Sequence, residues 1–201
     1  GGDGDDHLYI TASGVGASGG SANGDDGNDS ITGGVSDDVI NGGAGNDTIV
    51  NGGGADTISG GDGDDRITLS AGNNVVDGGA GSDSITGGTG NDNIKGGAGN
   101  DTILGGDGGD TITGGAGTDV LTGGNGTDTF VFAVGDSAAT STDPATADTI
   151  TDFVAADDAI SLGAVAGGAG YNEQTGLTYA DAYAAAKVLI ENGSNDVVVV
   201  E

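Results

Sequence analysis

The sequence has 201 residues, 32 of them acidic and only three Lys or Arg, so its formal net charge at pH 7 is −29. Such strong acidity argues against nucleic acid or an anionic membrane surface as a partner, and no apolar run is long enough to span a bilayer. Cysteine is absent, which excludes disulfides and thiolate metal sites, and an apolar share of 34% is too small to offset chain entropy unaided.

The chain begins inside a nine-residue repeat, because residues 1–9 read GGDGDDHLY. We interpret this start as the sign of a fragment of a longer protein. Residues 10–23, rich in Gly, Ala and Ser, are predicted to be a loop insertion. The single histidine, His7, occupies an outward position of the repeat, which favours a solvated surface residue over a catalytic base.

From residue 24 to residue 131 the chain repeats every nine residues, with the pattern G-G-x-G-x-D-x-(large apolar)-x. Residues 78–86 (GGAGSDSIT) and 96–104 (GGAGNDTIL) match it in full, and twelve consecutive nonads fit without a change of register. One nonad alone would indicate no more than a Gly-rich linker. Twelve in register indicate a solenoid in which each unit packs on its neighbours.

The first six residues of each nonad are predicted to form a calcium-binding turn. Glycine permits positive φ, so the chain turns sharply and exposes carbonyl oxygens, and the Asp at the sixth position adds a carboxylate. Six to eight oxygen ligands in a flexible arrangement suit Ca²⁺ better than Mg²⁺. The predicted carboxylate ligands are Asp6, Asp29, Asp38, Asp47, Asp56, Asp65, Asp83, Asp92, Asp101, Asp110, Asp119 and Asp128. The predicted carbonyl ligands are Gly43, Gly45, Gly61, Gly63, Gly79, Gly81, Gly88, Gly90, Gly97, Gly99, Gly106, Gly108, Gly115 and Gly117.

The last three residues of each nonad are predicted to form a short strand whose middle side chain points into the core. Nearly all of these middle residues are β-branched: Ile31, Ile40, Ile49, Ile58, Ile67, Val76, Ile85, Ile94, Ile103, Ile112, Leu121 and Phe130. Two nonads would then make one coil of turn, strand, turn and strand. At a strand spacing of about 4.8 Å, six coils would give a rod about 29 Å long.

Alternate nonads would stack on the same edge, which sorts the turn residues into two columns. One column has Asp at all six positions, whereas the other is broken by Asn74, in a nonad where Leu69 and Ser70 also replace the paired glycines. With one ion between each stacked pair of turns and an allowance for the break, we expect roughly eight to ten calcium ions. Because these ions would cancel most of the negative charge, folding is expected to depend on calcium.

The nonapeptide resembles the RTX (repeats-in-toxin) calcium-binding repeat of exoproteins. The resemblance covers residues 24–131 and implies an all-β fold, a right-handed parallel β-roll. It also implies export through a type I secretion apparatus of a Gram-negative bacterium and folding on calcium outside the cell, in the medium or at the cell surface.

Beyond residue 131 the composition changes, since 40 of the 47 glycines lie at or before Gly126. We therefore divide the chain into a roll, residues 1–131, and a β-rich or α+β cap, residues 132–201. Short strands are predicted around residues 130–132, 148–153 and 159–162, one helix from Thr178 to Ile190, and a terminal strand at residues 196–201. This tail resembles the caps of RTX exoproteins and the tails of some surface-layer proteins, and residues 196–200 resemble an uncleaved type I secretion signal.

No catalytic residue is predicted. The H-E-x-x-H motif of zinc proteases is absent, and the G-x-S-x-G match at residues 16–20 does not lie between a strand and a helix. We expect a calcium-dependent folding module of an extracellular structural protein, such as a surface-layer or matrix component, with self-assembly or cell-surface polysaccharide as its further partners. The alternative is the export and stabilisation module of a secreted protease, lipase or other enzyme whose catalytic domain lies upstream of Gly1.

Overall fold

The computed structural model describes residues 1–10, 19–133, 148–162, 187–191 and 196–200. Within these ranges the chain is all-β, and its strands form two sheets with a single apolar core. Up to β17, successive strands alternate between the two sheets, so each coil contributes one strand to each of them. The prediction of an all-β parallel β-roll of about six coils is confirmed. None of the described residues forms a helix with the length and apolarity to cross a membrane.

The strands are numbered β1 to β19 along the chain. The first sheet contains, in spatial order, β1 (Gly2–Asp3), β3 (Ser21–Asp26), β5 (Val39–Ala44), β7 (Thr57–Asp62), β9 (Val75–Ala80), β11 (Asn93–Ala98), β13 (Thr111–Ala116), β15 (Thr129–Phe132) and β17 (Ala159–Leu162). The second contains β2 (His7–Tyr9), β4 (Ser30–Thr32), β6 (Thr48–Val50), β8 (Arg66–Thr68), β10 (Ser84–Thr89), β12 (Thr102–Asp107), β14 (Val120–Asn125), β16 (Asp148–Ile150), β18 (Lys187–Glu191) and β19 (Asp196–Val200).

Parallel pairing with a step of eighteen residues builds both sheets. Ile85, for example, aligns with Ile67 on one side and with Ile103 on the other. This confirms the predicted coil of two nonads. The twelve predicted core side chains are all buried, with exposed fractions of 0–2%. They form a narrow core that runs the length of the roll, with one apolar side chain from each nonad. The burial of each side chain contributes on the order of 1.5–3 kcal/mol to the free energy of folding.

Most strands are longer than predicted. In β9 and β11 the pairing continues past the three predicted residues, through Gly79 with Gly97 and Ala80 with Ala98. The first residues of the turn therefore still belong to the sheet, since glycine can keep the ladder pairing while it begins to bend the chain. Among the strands that flank repeat turns, the predicted length of three residues is kept only in the second sheet, by β2, β4, β6 and β8.

The loop insertion predicted at residues 10–23 is wrong over its last three residues. Residues 21–23 belong to β3, where Ala22 pairs with Ile40 and is 9% exposed. Ile10 donates its N–H to the carbonyl of Thr32 at 2.8 Å, and its side chain packs against the core. Alanine in the core position is too small to be recognised as part of the repeat, which is why the sequence pattern missed this strand. Residues 11–18 lie outside the described ranges.

Residues 148–162 form a further coil at the end of the roll. Ile150 pairs with Leu121 and is 1% exposed, and Ile160 pairs with Phe130. The rings of Phe130 and Phe153 lie 6.3 Å apart at 53°, a tilted contact of the kind aromatic pairs prefer. These residues cover the apolar end of the core.

The predicted helix from Thr178 to Ile190 is wrong over its last residues. Lys187–Glu191 is strand β18, which pairs antiparallel with β16, and β19 then pairs antiparallel with β18. The free edge of β16 offers backbone N–H and C=O groups that a helix could not satisfy, so sheet pairing overrides the local helical pattern. The predicted terminal strand at residues 196–201 is observed as β19, over Asp196–Val200. The remainder of the predicted helix lies outside the described residues.

Candidate calcium sites at the two edges of the roll

The turns between strands lie along two edges of the roll. We number the residues of each turn 1 to 6, so that the Asp of the repeat is at position 6. The first edge contains the turns at residues 1–6, 24–29, 42–47, 60–65, 78–83, 96–101 and 114–119. The second edge contains the turns at residues 33–38, 51–56, 69–74, 87–92, 105–110 and 123–128. The predicted aspartates are therefore brought together as two columns, each with one member per coil.

From Asp29 onward, each position-6 side chain accepts a hydrogen bond from the backbone of the coil before it. Asp47 Oδ1 accepts the backbone N–H of Asp29 at 2.7 Å, and the same bond recurs along both edges at 2.7–3.1 Å. From residue 29 onward the column members are buried, each at most 2% exposed. This ladder fixes one oxygen of every carboxylate and aligns the columns.

Both columns extend into the last coil, which sequence reasoning missed. The N–H of Asp119 donates to Asp148 Oδ1 at 2.8 Å, and the N–H of Asp128 donates to Asp158 Oδ1 at 3.0 Å. The sequence carries a signal for this, because D-T-I at residue 148 and D-A-I at residue 158 repeat the D-x-(apolar) spacing of the nonads. Without glycines in front of them, these triplets do not match the full repeat.

The second carboxylate oxygen, Oδ2, differs from the first. It is buried and has no hydrogen-bond partner in Asp29, Asp47, Asp56, Asp65, Asp83, Asp92, Asp101, Asp110 and Asp128. Burying an ionised oxygen without a partner is costly. Repetition of the same costly feature in coil after coil indicates that these oxygens are suited to bind a cation.

The position-1 glycine forms a cradle around this oxygen. A methyl group on Gly42 would overlap both Asp47 Oδ2 and the carbonyl oxygen of Gly60, which is the equivalent glycine of the next coil. A carboxylate oxygen of one turn and a carbonyl oxygen of the next turn therefore converge on one small space. The same pair of oxygens meets at Gly1, Gly24, Gly60, Gly78, Gly87, Gly96 and Gly105. These position-1 carbonyls were absent from the predicted ligands.

The fourteen glycines predicted as carbonyl ligands occupy positions 2 and 4 of their turns. All have φ between +100° and +149°, a backbone region that residues other than glycine rarely adopt. A methyl group on Gly61 would also overlap the carbonyl oxygen of Gly43 in the coil before. Carbonyl oxygens thus point from each turn toward the following one, which suits a cation held between stacked turns.

This donor set fits calcium. Carboxylate and carbonyl oxygens on two adjacent coils are hard ligands in a flexible arrangement, as Ca²⁺ prefers. Among the described residues no three acidic, His or Cys side chains gather into a metal site. The sites therefore depend on backbone oxygens, with one carboxylate from each turn.

Burial changes the acidity of these carboxyl groups. It raises the pKa of Asp65 and of Asp101 to about 7, with repulsion from the neighbouring carboxylates of the same column as a further cause. It raises the pKa of Asp92 to about 6. With a pKa of about 7, Asp65 and Asp101 therefore hold protons near neutral pH unless a cation takes their place.

A second ladder, also missed from the sequence, runs through position 5 of the first edge. There a side-chain oxygen accepts the N–H of position 5 in the next coil; Asn28 accepts from Asn46 at 2.7 Å and Asn46 accepts from Asp64 at 3.0 Å. The side chain at position 5 accepts a hydrogen bond from the following coil, whereas the side chain at position 6 accepts one from the preceding coil. Each turn is therefore hydrogen-bonded to both of its neighbours. The sequence signal is the choice of Asn, Asp, Ser or Thr at every position 5 of this edge.

Comparison with protein families gives the same result as the geometry. The family model for the RTX calcium-binding nonapeptide repeat (4 copies) matches residues 19–49, 50–85, 77–112, 95–130 and 104–137, which together span more than half of the chain. No curated protein matches the chain. RTX repeats bind calcium in a non-catalytic β-roll, and proteins that contain them are typically secreted by Gram-negative bacteria. The chain belongs to the RTX calcium-binding nonapeptide repeat family.

Proposed function

We propose that the chain is the calcium-dependent folding module of a secreted extracellular protein. The observation that carries the proposal is the stack of buried Oδ2 atoms without hydrogen-bond partners, about 4.8 Å apart from coil to coil. Carboxylates at this spacing repel one another and lose their hydration, so the roll needs a counter-charge between its turns.

The ligands are the position-6 carboxylates together with the carbonyl oxygens of positions 1, 2 and 4. Calcium, when bound, supplies the positive charge that offsets two neighbouring turns. The chain brings these oxygens together only when two coils are stacked, because each cradle uses one turn for its carboxylate and the next for its carbonyl. The free energy of binding is then also free energy of folding.

The module serves a structural protein of the cell exterior, such as a surface-layer or matrix component. Each buried acidic side chain among the described residues lies in one of the two columns, which supports a metal-binding role for these groups.

Export by type I secretion fits a chain that stays unfolded until it binds calcium. Residues 196–200, an acidic residue followed by four valines, would then be the secretion signal.

The test is circular dichroism of the full chain with chelator, then with calcium, with magnesium as the matched control. We expect little β signal with chelator, a cooperative gain of β signal with calcium, and a weaker response to magnesium, which demands a stricter octahedron. A β spectrum of equal strength with chelator and with calcium would overturn the proposal.

The structural role has its own test, which is the nature of any domain that precedes these repeats in the natural protein. Further repeats or β-sandwich domains would support a structural component. A zinc-protease or hydrolase domain would instead make the module the export and stabilisation part of an enzyme.

A further inference from the structure

Three consecutive turns of the second edge, at residues 33–38, 51–56 and 69–74, differ in conformation from the other turns of the array. Their position-2 residues, Gly34, Gly52 and Ser70, lack the positive φ found at position 2 of the remaining turns. The strands that lead into them, β4, β6 and β8, are three residues long, whereas β10, β12 and β14 have six. The chain therefore leaves the sheet earlier and bends differently.

The turn at residues 33–38 closes on its own carboxylate. Asp38 Oδ2 accepts the N–H of Gly34 at 2.8 Å, and Asp38 Oδ1 accepts the N–H of Gly20 at 2.7 Å. Both oxygens are thus satisfied by the backbone. This differs from the regular turns from Asp29 to Asp101 on the first edge, where Oδ2 has no hydrogen-bond partner.

A side chain fills the cradle above this turn. Position 1 of the next turn is Asn51 instead of glycine, and its side chain is 1% exposed. A methyl group on Gly33 would overlap Asn51 Oδ1, so the amide of one coil occupies the space that remains open at Gly42 and its equivalents. Asp56 Oδ2 is buried without a hydrogen-bond partner, as in the regular turns, but position 1 of its own turn is Asn51 and not glycine, so no glycine cradle lies beside it.

The turn at residues 69–74 has lost both parts of the cradle. Leu69 replaces the position-1 glycine and packs into the core at 3% exposure. Asn74 keeps the ladder, accepting the N–H of Asp56 at 3.1 Å and donating its own N–H to Asp92 Oδ1 at 2.8 Å. Its side-chain Nδ2 donates to the carbonyl of Gly72 at 3.2 Å, so an N–H donor occupies the place of a ligand oxygen.

We propose that these three turns close without calcium and form a metal-free seam in an otherwise calcium-loaded roll. The proposal rests on the proposed function of the regular turns. Complete cradles, with a carboxylate oxygen and the next coil's carbonyl oxygen, occur six times on the first edge, at Gly1, Gly24, Gly42, Gly60, Gly78 and Gly96, and twice on the second, at Gly87 and Gly105. The chain then holds eight ions, distributed six to two between the edges.

The first experiment is metal analysis of the full chain after equilibration with calcium. The seam predicts eight ions, whereas filling of the three intervals that involve seam turns would give eleven. A count near eleven overturns the seam and leaves the proposed function intact. Absence of calcium binding would overturn the proposed function itself.

The second experiment rebuilds a site. The triple variant Leu69→Gly, Ser70→Gly, Asn74→Asp turns residues 69–74 into GGAGND, the sequence found at residues 42–47 and 96–101. We expect this variant to bind one ion more than the unaltered chain. The matched control is Asn74→Asp alone, which supplies a carboxylate but keeps Leu69 in the cradle and should bind no additional ion.

An extra ion in the control, or none in a triple variant that has the β spectrum of the unaltered chain, would overturn the proposal. If the triple variant does not fold, the ion count of the unaltered chain still decides between eight and eleven.

Discussion

The first edge and the seam use the same nine-residue period but deal with buried charge in different ways. On the first edge, each carboxylate from Asp29 to Asp101 accepts a backbone N–H with one oxygen and has its other oxygen buried beside a glycine cradle. In the seam the backbone takes both oxygens of Asp38, an amide lies beside Asp56, and Asn74 carries no charge. Residues 33–38 keep both paired glycines but lose the cradle to Asn51, so the nine-residue period specifies the coil, whereas an open cradle also requires a glycine at position 1 of the next coil.

The core and the position-6 ladder continue through the seam without a break. Ile58 and Val76 are each 2% exposed, and Asp56 still donates to the side chain of the next coil. A solenoid therefore tolerates loss of the turn consensus at one edge as long as the inward side chain and the stacking hydrogen bond remain. In the proposed metal-free seam, side-chain packing would replace the stabilisation that we assign to calcium in the regular turns.

The largest expected effect acts on both edges at once. Deletion of residues 133–201 removes Asp148 and Asp158, which end the two columns, and exposes Phe130 and Leu121. We expect the shortened roll to need much more calcium to fold and to associate end to end, because its terminal coil presents unpaired backbone and apolar surface. Calcium titration by circular dichroism and sedimentation measure this.

The matched control for that deletion removes only residues 163–201. It keeps the last coil, so we expect its calcium midpoint to lie close to that of the full chain. Equal behaviour of the two truncated forms would show that residues 148–162 have no capping role.

The second prediction compares a first-edge glycine with a seam glycine. Gly61→Ala places a methyl group at φ +119° against the carbonyl of Gly43, and should lower the free energy of unfolding of the calcium-loaded protein by about 3 kcal/mol. Gly53 is not at positive φ, and its nearest atoms are 3.8 Å away, so Gly53→Ala should change this energy by less than about 1 kcal/mol. Denaturant-induced unfolding measures the free energy of unfolding of both variants. Similar losses in the two variants would contradict the proposed difference between the first edge and the seam.

The third prediction separates the ladder from the metal. Asp83→Ala and Asn74→Ala each remove one acceptor of a buried N–H, which costs about 1–3 kcal/mol in either case. In the unaltered chain, only Asp83 also has a buried Oδ2 that lacks a hydrogen-bond partner and lies beside a glycine cradle. We expect Asp83→Ala to bind fewer ions and to have the higher calcium midpoint, and Asn74→Ala to retain the full ion count. Loss of an ion from Asn74→Ala would place a metal in the seam.

The smallest expected effect is on pH dependence. The pKa values of Asp65 and Asp101, about 7, lie above the ordinary value of 3.8, so these groups favour the metal-free roll below about pH 4 and lose that contribution as the pH rises through 7. Calcium displaces few protons from the unfolded chain between pH 7 and 5, because its Asp groups there have the ordinary pKa of 3.8. The β signal that remains with chelator should therefore increase as the pH falls from 7 to 5, because Asp65 and Asp101 take up protons in the metal-free roll. Circular dichroism with chelator measures this, and a signal independent of pH would mean that these groups do not hold protons in the roll.

The local sequence was sufficient to predict those features of the fold in which each residue has a single role. The inward position of each nonad, the two columns and the eighteen-residue step follow from the period alone, and the structure shows them. Ala22 was missed because its side chain is too small to stand out, and Asp148 and Asp158 because no glycines precede them. Lys187–Glu191 was assigned to a helix because its strand pairing depends on β16, which is remote in sequence.

The seam could not be predicted because its parts act across coils. Asn51 fills the space beside Gly33, eighteen residues earlier, and Asn74 is held by Asp56 and Asp92 on either side. The sequence showed Asn74, Leu69 and Ser70 as departures from the repeat. It did not show that Asp38, a match at position 6, has both oxygens satisfied by backbone N–H groups.

The eighteen-residue step limits how such a protein can lengthen or shorten during evolution. Gain or loss of a single nonad would carry every later strand to the opposite sheet, so Asp148 and Asp158 would exchange edges and β18 and β19 would join the first sheet. Gain or loss of a complete coil preserves every pairing on both sides of the change. Duplications of eighteen residues, or multiples of it, are therefore the changes in copy number that this architecture accepts.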